Sequence, residues 1–218
     1  MNKIYTDRIG FTLAEVLITL GIIGVVASLT LPALIAHYKE QETSARLKKF
    51  YSIMHQAILL SEIDNGPIEY WEKGSMVRDE NGNFDQAANN ILAEEFFDKY
   101  LVNYIKVIKR GYTTINGRKL FQIYLPDGIS VIIGNGGCID LVVDTNGDKK
   151  PNFLGFDRFI FLICPNNKPA FSSYDSTLDK DEAITKCTTE PKYCSRVLQL
   201  SNWEFNDYVY PLVKQSIN

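Results

Sequence analysis

The chain has 218 residues, 45% hydrophobic and 22% charged, with a net charge of -3. Those proportions exclude a short peptide and a disordered tail, and they leave room for one ordinary domain plus an extra segment. The acidic balance argues against a generic nucleic-acid binder. Only two histidines, His37 and His55, are present, which leaves little scope for histidine catalysis or a histidine-rich metal site.

The first element is a polar leader, MNKIYTDRIG, carrying Lys3, Asp7 and Arg8. Behind it, Val16 to Ala36 form a charge-free run of 21 residues, VLITLGIIGVVASLTLPALIA. As a helix rising about 1.5 Å per residue, this run matches the hydrocarbon core of a bilayer, roughly 30 Å. It is longer than the apolar core of a secretory signal, and no lipid-accepting cysteine stands beside it. Glu15 lies within the apolar stretch. A carboxylate there costs about 2.5–3.5 kcal/mol on insertion scales, so it calls for a partner or a task.

The string Gly10-Phe11-Thr12-Leu13-Ala14-Glu15, followed by the apolar run, resembles the signal of type IV prepilins and type II secretion pseudopilins. The resemblance covers about Ile9 to Ala57. It implies that a membrane aspartyl peptidase, the prepilin peptidase, cuts between Gly10 and Phe11 and N-methylates Phe11. It also implies that Glu15 holds the acidic fifth position of the mature chain and that Pro32 is the helix-bending proline. Small Gly10 lets a protease approach the backbone closely. Cleavage creates an amine that the Glu15 of a neighbouring subunit can pair with inside a bundle of low polarity, which sets subunit register. Gly21 and Gly24 permit close helix contact. Pro32 cannot donate to the carbonyl of Ser28, so the helix loosens or bends there.

The resemblance further implies four regions: a leader at 1–10, a transmembrane and filament-core helix at 11–36, its amphipathic continuation at 37–64, and a head at 65–218. The expected setting is the inner membrane in a single pass, with the head outside the cytoplasm and later in a filament. A simple count of flanking charges, with Lys39, Arg46, Lys48 and Lys49 after the apolar run, favours the opposite orientation. The prepilin motif is the more specific of the two signals. The expected partners are other pilin or pseudopilin subunits, the peptidase and an assembly platform, with no nucleic acid.

The helix continues beyond the membrane length. Leu47, Phe50, Tyr51, Met54, Ala57, Ile58 and Ser61 recur at helical spacing and predict one face packed on a domain. Asn65-Gly66-Pro67 stops it. Residues 67–83 read as a loop with aromatic contacts at Tyr70 and Trp71. Asp85 to about Leu101 reads as a second helix, with Ile91, Leu92, Phe96, Phe97 and Tyr100 on its buried face. The period then becomes two. Tyr104–Lys109, Arg118–Leu125, Ile129–Ile133, Ile139–Val143 and Arg158–Cys164 are strand candidates, and Asn116-Gly117 and Asp127-Gly128 are hairpin signals. The fold class is therefore α+β: a long N-terminal helical spine against an antiparallel sheet of four or five strands, a pilin-like layout. Asp179–Thr185 reads as a short helix and Pro191 as the start of another, running to about Leu200. Trp203, Phe205, Tyr208 and Tyr210 are expected to pin the tail.

Two features of the head carry chemistry. Cys138, Cys164, Cys187 and Cys194 are even in number and lack zinc-like spacing, so two disulfides are expected outside the cytoplasm. Three pairings are possible. Cys187 with Cys194 closes a short loop, and Cys138 and Cys164 each sit beside a strand end. The second feature is the loop from Asp144 to Asp157. Asp144, Asn146 and Asp148 alternate as D-x-N-x-D and can turn three oxygens toward a calcium ion, with Asn152 and Asp157 as further donors. Asp140 precedes the loop as an additional candidate. The resemblance supports calcium, because type II pseudopilins often carry such a loop between strands. Lys149 stands where an EF-hand has its glycine and no closing glutamate follows, so an Asx-rich turn is the alternative. No G-x-S-x-G, H-E-x-x-H or Walker A motif occurs, and no nucleophile stands beside the acidic residues, so no enzyme is expected. The function expected is that of a structural subunit of a type II secretion pseudopilus or type IV pilus-like filament. The alternative is a minor pilin whose head is adhesive or takes up DNA, although clustered Lys and Arg for DNA are lacking.

Overall fold

The computed structural model describes residues 10–205, 208, 210 and 211. Residues 1–9 of the expected leader lie outside the described residues. The chain divides into two compact units, Met1–Glu40 and Gln41–Asn218.

Helix α1 runs from Leu13 to Asn65 and contains Pro32. In the first unit its side chains are open to solvent: Leu17, Ile18, Ile22, Ile23, Val25 and Leu29 are all more than half exposed. So much bare apolar surface is stable only against lipid or another chain. Among the described residues α1 is the one helix long and apolar enough to cross a membrane.

In the second unit, α1 supplies one wall of the core. Leu47, Phe50, Met54, Ala57, Ile58 and Ser61 are its buried positions, the stripe that helical spacing predicts. They face an antiparallel sheet of six strands: β1 (Lys109–Ile115), β2 (Arg118–Tyr124), β3 (Ser130–Asn135), β4 (Ile139–Asp144), β5 (Arg158–Ile163) and β6 (Phe171–Ser173). The strands lie in sequence order, each beside the next. Asn116 and Gly117, both at positive φ (52° and 72°), make the tight β1–β2 turn. Phe121, Val131, Ile133, Leu141, Val143, Phe159 and Phe161 alternate inward and are buried. Helix α2 (Gln86–Tyr100) covers β2 and β3, capped by the Asp85 carboxylate, which accepts from the Ala88 N–H. Helices α3 (Lys180–Thr189) and α4 (Cys194–Leu200) close the β5–β6 end. Disulfides join Cys138 to Cys164 and Cys187 to Cys194.

The structure corrects three local expectations. Residues 104–108 are not strand. The Tyr104 and Ile105 N–H groups both donate to the Leu101 carbonyl, extending the turn after α2, and Tyr104 Oη donates to Asp64 Oδ2 at 2.6 Å. The strand begins at Lys109 instead. Ile91 is not on the buried face of α2; it is 56% exposed, while Asn89 and Asn90 are buried. Asn89 spends its amide on the Val77 and Asp85 carbonyls, and Asn90 on the Lys119 carbonyl, so two polar residues serve as rivets. The sheet also has a sixth strand, β6, beyond the four or five expected.

Candidate functional site

The first site lies at the start of α1. Gly10 and Phe11 are exposed, and nothing stands within 4 Å of the Gly10 Cβ position. The Thr12 N–H and hydroxyl both donate to Glu15 Oε2 at 2.8 Å, and the Glu15 N–H donates back to Thr12 Oγ1 at 3.2 Å. This is a reciprocal capping box, which satisfies N–H groups left free by the first helical turn. Glu15 is therefore held by its own helix end. Thr12 is a residue that sequence reasoning missed, although the T-x-x-E spacing signals it.

The second site is the β4–β5 connection. The structure brings Asp144, Asn146, Asn152 and Asp157 together and sets Asp148 apart. Asp157 accepts the backbone N–H groups of Asn152 and Phe153 at 2.8 and 2.7 Å, and the Asn146 amide at 3.0 Å. Asp144, buried at the end of β4, accepts Arg158 Nε at 2.7 Å and the Asn146 N–H at 3.2 Å. Burial pushes the Asp144 carboxyl up, to about 6, against the pull of the Arg158 guanidinium. Asp148 instead turns onto the sheet, where its carboxylate oxygens accept the Tyr124 hydroxyl at 3.0 and 2.8 Å. Burial, and then Asp148, raise that hydroxyl to about 12. The sequence did not signal Arg158, whose guanidinium reaches the loop only because β4 and β5 pair Asp144 with Arg158.

Two observations bear on a cation here. Asn146 Oδ1 is buried and has no hydrogen-bond donor. Asn152 lies 3.0 Å from Asp144 Oδ2 and 2.7 Å from the Lys149 carbonyl; turned nitrogen-inward it donates to both. Turned oxygen-inward, the same position sets three oxygens together with no proton between them, the chemistry of a hard cation. Asp144 Oδ2 already accepts Arg158 Nε and both Asp157 oxygens accept N–H groups, so the oxygens left to face a cation are those of the amides and of the Lys149 carbonyl. Among the described residues no group of three His, Cys, Asp or Glu side chains converges on a metal position.

Arg46 joins the loops to the spine. Its Nη1 donates to the Asp127 carbonyl at 3.0 Å and the Thr145 carbonyl at 2.7 Å, and Nη2 pairs with Glu42 at 2.8 Å.

A family model described as a prokaryotic N-terminal methylation motif matches residues 7–31, and one described as a family of unknown function (DUF6613) matches residues 33–212. No curated protein and no solved structure matches the chain. The N-terminus is thus a type IV pilin-like signal, and it precedes a pilin-like α+β layout.

Proposed function

The chain belongs to the family of unknown function DUF6613 and opens on a prokaryotic N-terminal methylation motif, and from that premise we propose that it is a structural subunit of a type II secretion pseudopilus or a type IV pilus-like filament. The observation that carries this reading is the coincidence of Gly10, Phe11 and Glu15 with a helix whose first unit exposes apolar side chains all round. In this reading the prepilin peptidase cuts after Gly10 and Phe11 receives the methyl group. The helix waits in the inner membrane, with the head outside the cytoplasm. Assembly on the platform then transfers the apolar surface from lipid to neighbouring subunits, and Glu15 exchanges Thr12 for the amine of a neighbour's Phe11. The protein's work is polymerisation rather than catalysis. Calcium in the β4–β5 loop would be held by Asp144, Asn146, Asn152 and Asp157, and it would pin the loop on which Arg46 closes.

N-terminal mass spectrometry of the protein extracted from membranes tests the reading. It should find N-methyl-Phe11, and Gly10→Phe should accumulate uncut precursor. Glu15→Ala should leave insertion and the head intact while filaments fail. A mature chain beginning at Met1, or normal filaments from the Glu15 variant, would overturn it.

A further inference from the structure

A cleft of about 560 Å³ opens at one end of the head. It lies between the segment from Trp71 to Met76, the β3–β4 turn at Gly136-Gly137-Cys138, and the β5–β6 turn from Cys164 to Asn167. The Cys138–Cys164 disulfide ties the two turns, so the walls are held in place. Strand direction fixes its location. Arg46 grips the β2–β3 and β4–β5 connections at the opposite end of the sheet, and α1 then runs the length of the sheet to Asn65. The cleft therefore sits at the end of the head remote from Gln41, where the unit begins.

Its lining is polar and nearly balanced in charge. Asn166 and Asn167 expose their amides, and Ser75 adds a hydroxyl. Lys73 reaches in with its Nζ donating to the Gly74 carbonyl at 2.9 Å. The Asp140 carboxylate lies against Gly136: a Cβ there would stand 2.7 Å from Asp140 Oδ2. Register places Asp140 on the sheet face away from α1, between Gly134 and Leu162, neither of which offers a side-chain donor. Burial raises its carboxyl to about 6, and Lys73 is the one cation that counters this. Among the described residues it accepts no hydrogen bond and makes no ion pair within 4 Å. Asp140 is half-buried, and a carboxylate in that position without a protein donor is left to water or to a ligand. Such a group, beside Gly136 at the edge of the cleft, suits a donor that arrives from outside.

We propose that this cleft binds a neutral oligosaccharide, whose hydroxyls donate to Asp140 and accept from Lys73 and the Asn166 and Asn167 amides. A hydroxyl is donor and acceptor at once, which suits a site holding the Lys73 ammonium, the Asp140 and Glu72 carboxylates and two amides. A phosphate or an acidic polymer would meet Asp140 and Glu72 unfavourably. Gly136 and Gly137 leave the backbone bare where a sugar ring would lie. The site stands independently of the filament reading; only its display at a filament's outer end rests on that reading.

The test uses the full chain in a polyoxyethylene detergent, which has no sugar headgroup. Immobilised cellobiose, maltotriose, chitobiose, polygalacturonate and heparin are the probes. Wild type should bind at least one of the three neutral sugars. Asp140→Asn should weaken that binding about tenfold or more, and Asn166→Trp, which fills the cleft from an exposed position, should abolish it. Both variants should keep two disulfides and melt no lower than wild type. Three results would each overturn the proposal: no neutral sugar bound, binding of polygalacturonate or heparin alone, or sugar binding equal in wild type and both variants. Loss of filaments with sugar binding intact would count against the filament reading alone.

Discussion

Glu15 has a partner before any neighbour arrives. A lone carboxylate at the edge of an apolar helix is costly, and Thr12 offsets that cost with two hydrogen bonds at 2.8 Å. Thr12→Val keeps the volume and removes the hydroxyl. We expect the first turn of α1 to fray, since lost caps cost about 0.5–2 kcal/mol. Amide exchange in micelles should quicken about tenfold at Leu13 to Val16; unchanged exchange would show that the backbone bond alone holds Glu15. Asp140 gives a second prediction of opposite sense. Its folded carboxyl is raised to about 6 from 3.8, so the native state holds a proton that the unfolded chain has already released. This contribution to stability is present below about pH 4 and is lost as pH rises to about 6. Asp140→Asn should therefore stabilise the chain at pH 7, by up to about 2 kcal/mol. The gap to wild type should close at pH 4 in chemical denaturation. A variant less stable than wild type at pH 7 would mean that the carboxylate has a donor after all.

The spine was legible because its signals are long: the apolar run, then seven positions from Leu47 to Ser61 at one helical period. The sheet was legible where turns announce themselves, as at Asn116-Gly117. Between α2 and β1 the signal failed. Tyr104, Ile105, Val107 and Ile108 are residue types that favour strands, but Leu101 draws two N–H groups into a turn and Tyr104 bonds to Asp64 on α1. Nothing local encodes that contact. β6 escaped because three residues are too few for a period to appear. In the β4–β5 loop the clustering of Asp144, Asn146, Asn152 and Asp157 was legible, whereas Asp148 turns away to Tyr124 on β2. The spine supplies a paired prediction. Phe50 is 1% exposed and touches Phe161 with ring centroids 5.6 Å apart. Phe50→Ala should cost about 3–5 kcal/mol. Ile63, 78% exposed on the same helix, should tolerate Ser within about 0.5 kcal/mol in the unassembled chain. Equal losses in thermal melting would place the core elsewhere.

For the molecule as a whole, calcium is the external variable that discriminates most. If the Asn152 amide turns its oxygen to the ion, the full chain in detergent should melt higher in millimolar calcium than in chelator. A site of about 10⁻⁴ M would add roughly 1.4 kcal/mol at 1 mM calcium. Asp144→Ala should erase the difference. Equal melting of wild type in both conditions would mean that Arg158 and the Asn152 amide already close the loop without an ion.

The strict sequence order of the strands sets a timetable. Synthesis proceeds from the N-terminus, so each strand meets its neighbour soon after it appears, and pairing needs little search. The spine is the exception. The Tyr51 hydroxyl waits for Gln199 Nε2, 148 residues later, and the Tyr51 ring waits for Trp203, its centroid 5.0 Å away. Phe171 stacks on Tyr51 earlier, at 5.1 Å. The oldest part of the head is thus finished by the youngest. A chain halted before Gln199 carries a paired sheet over an uncovered aromatic seam, and that seam marks it as incomplete to any chaperone or protease that reads exposed rings.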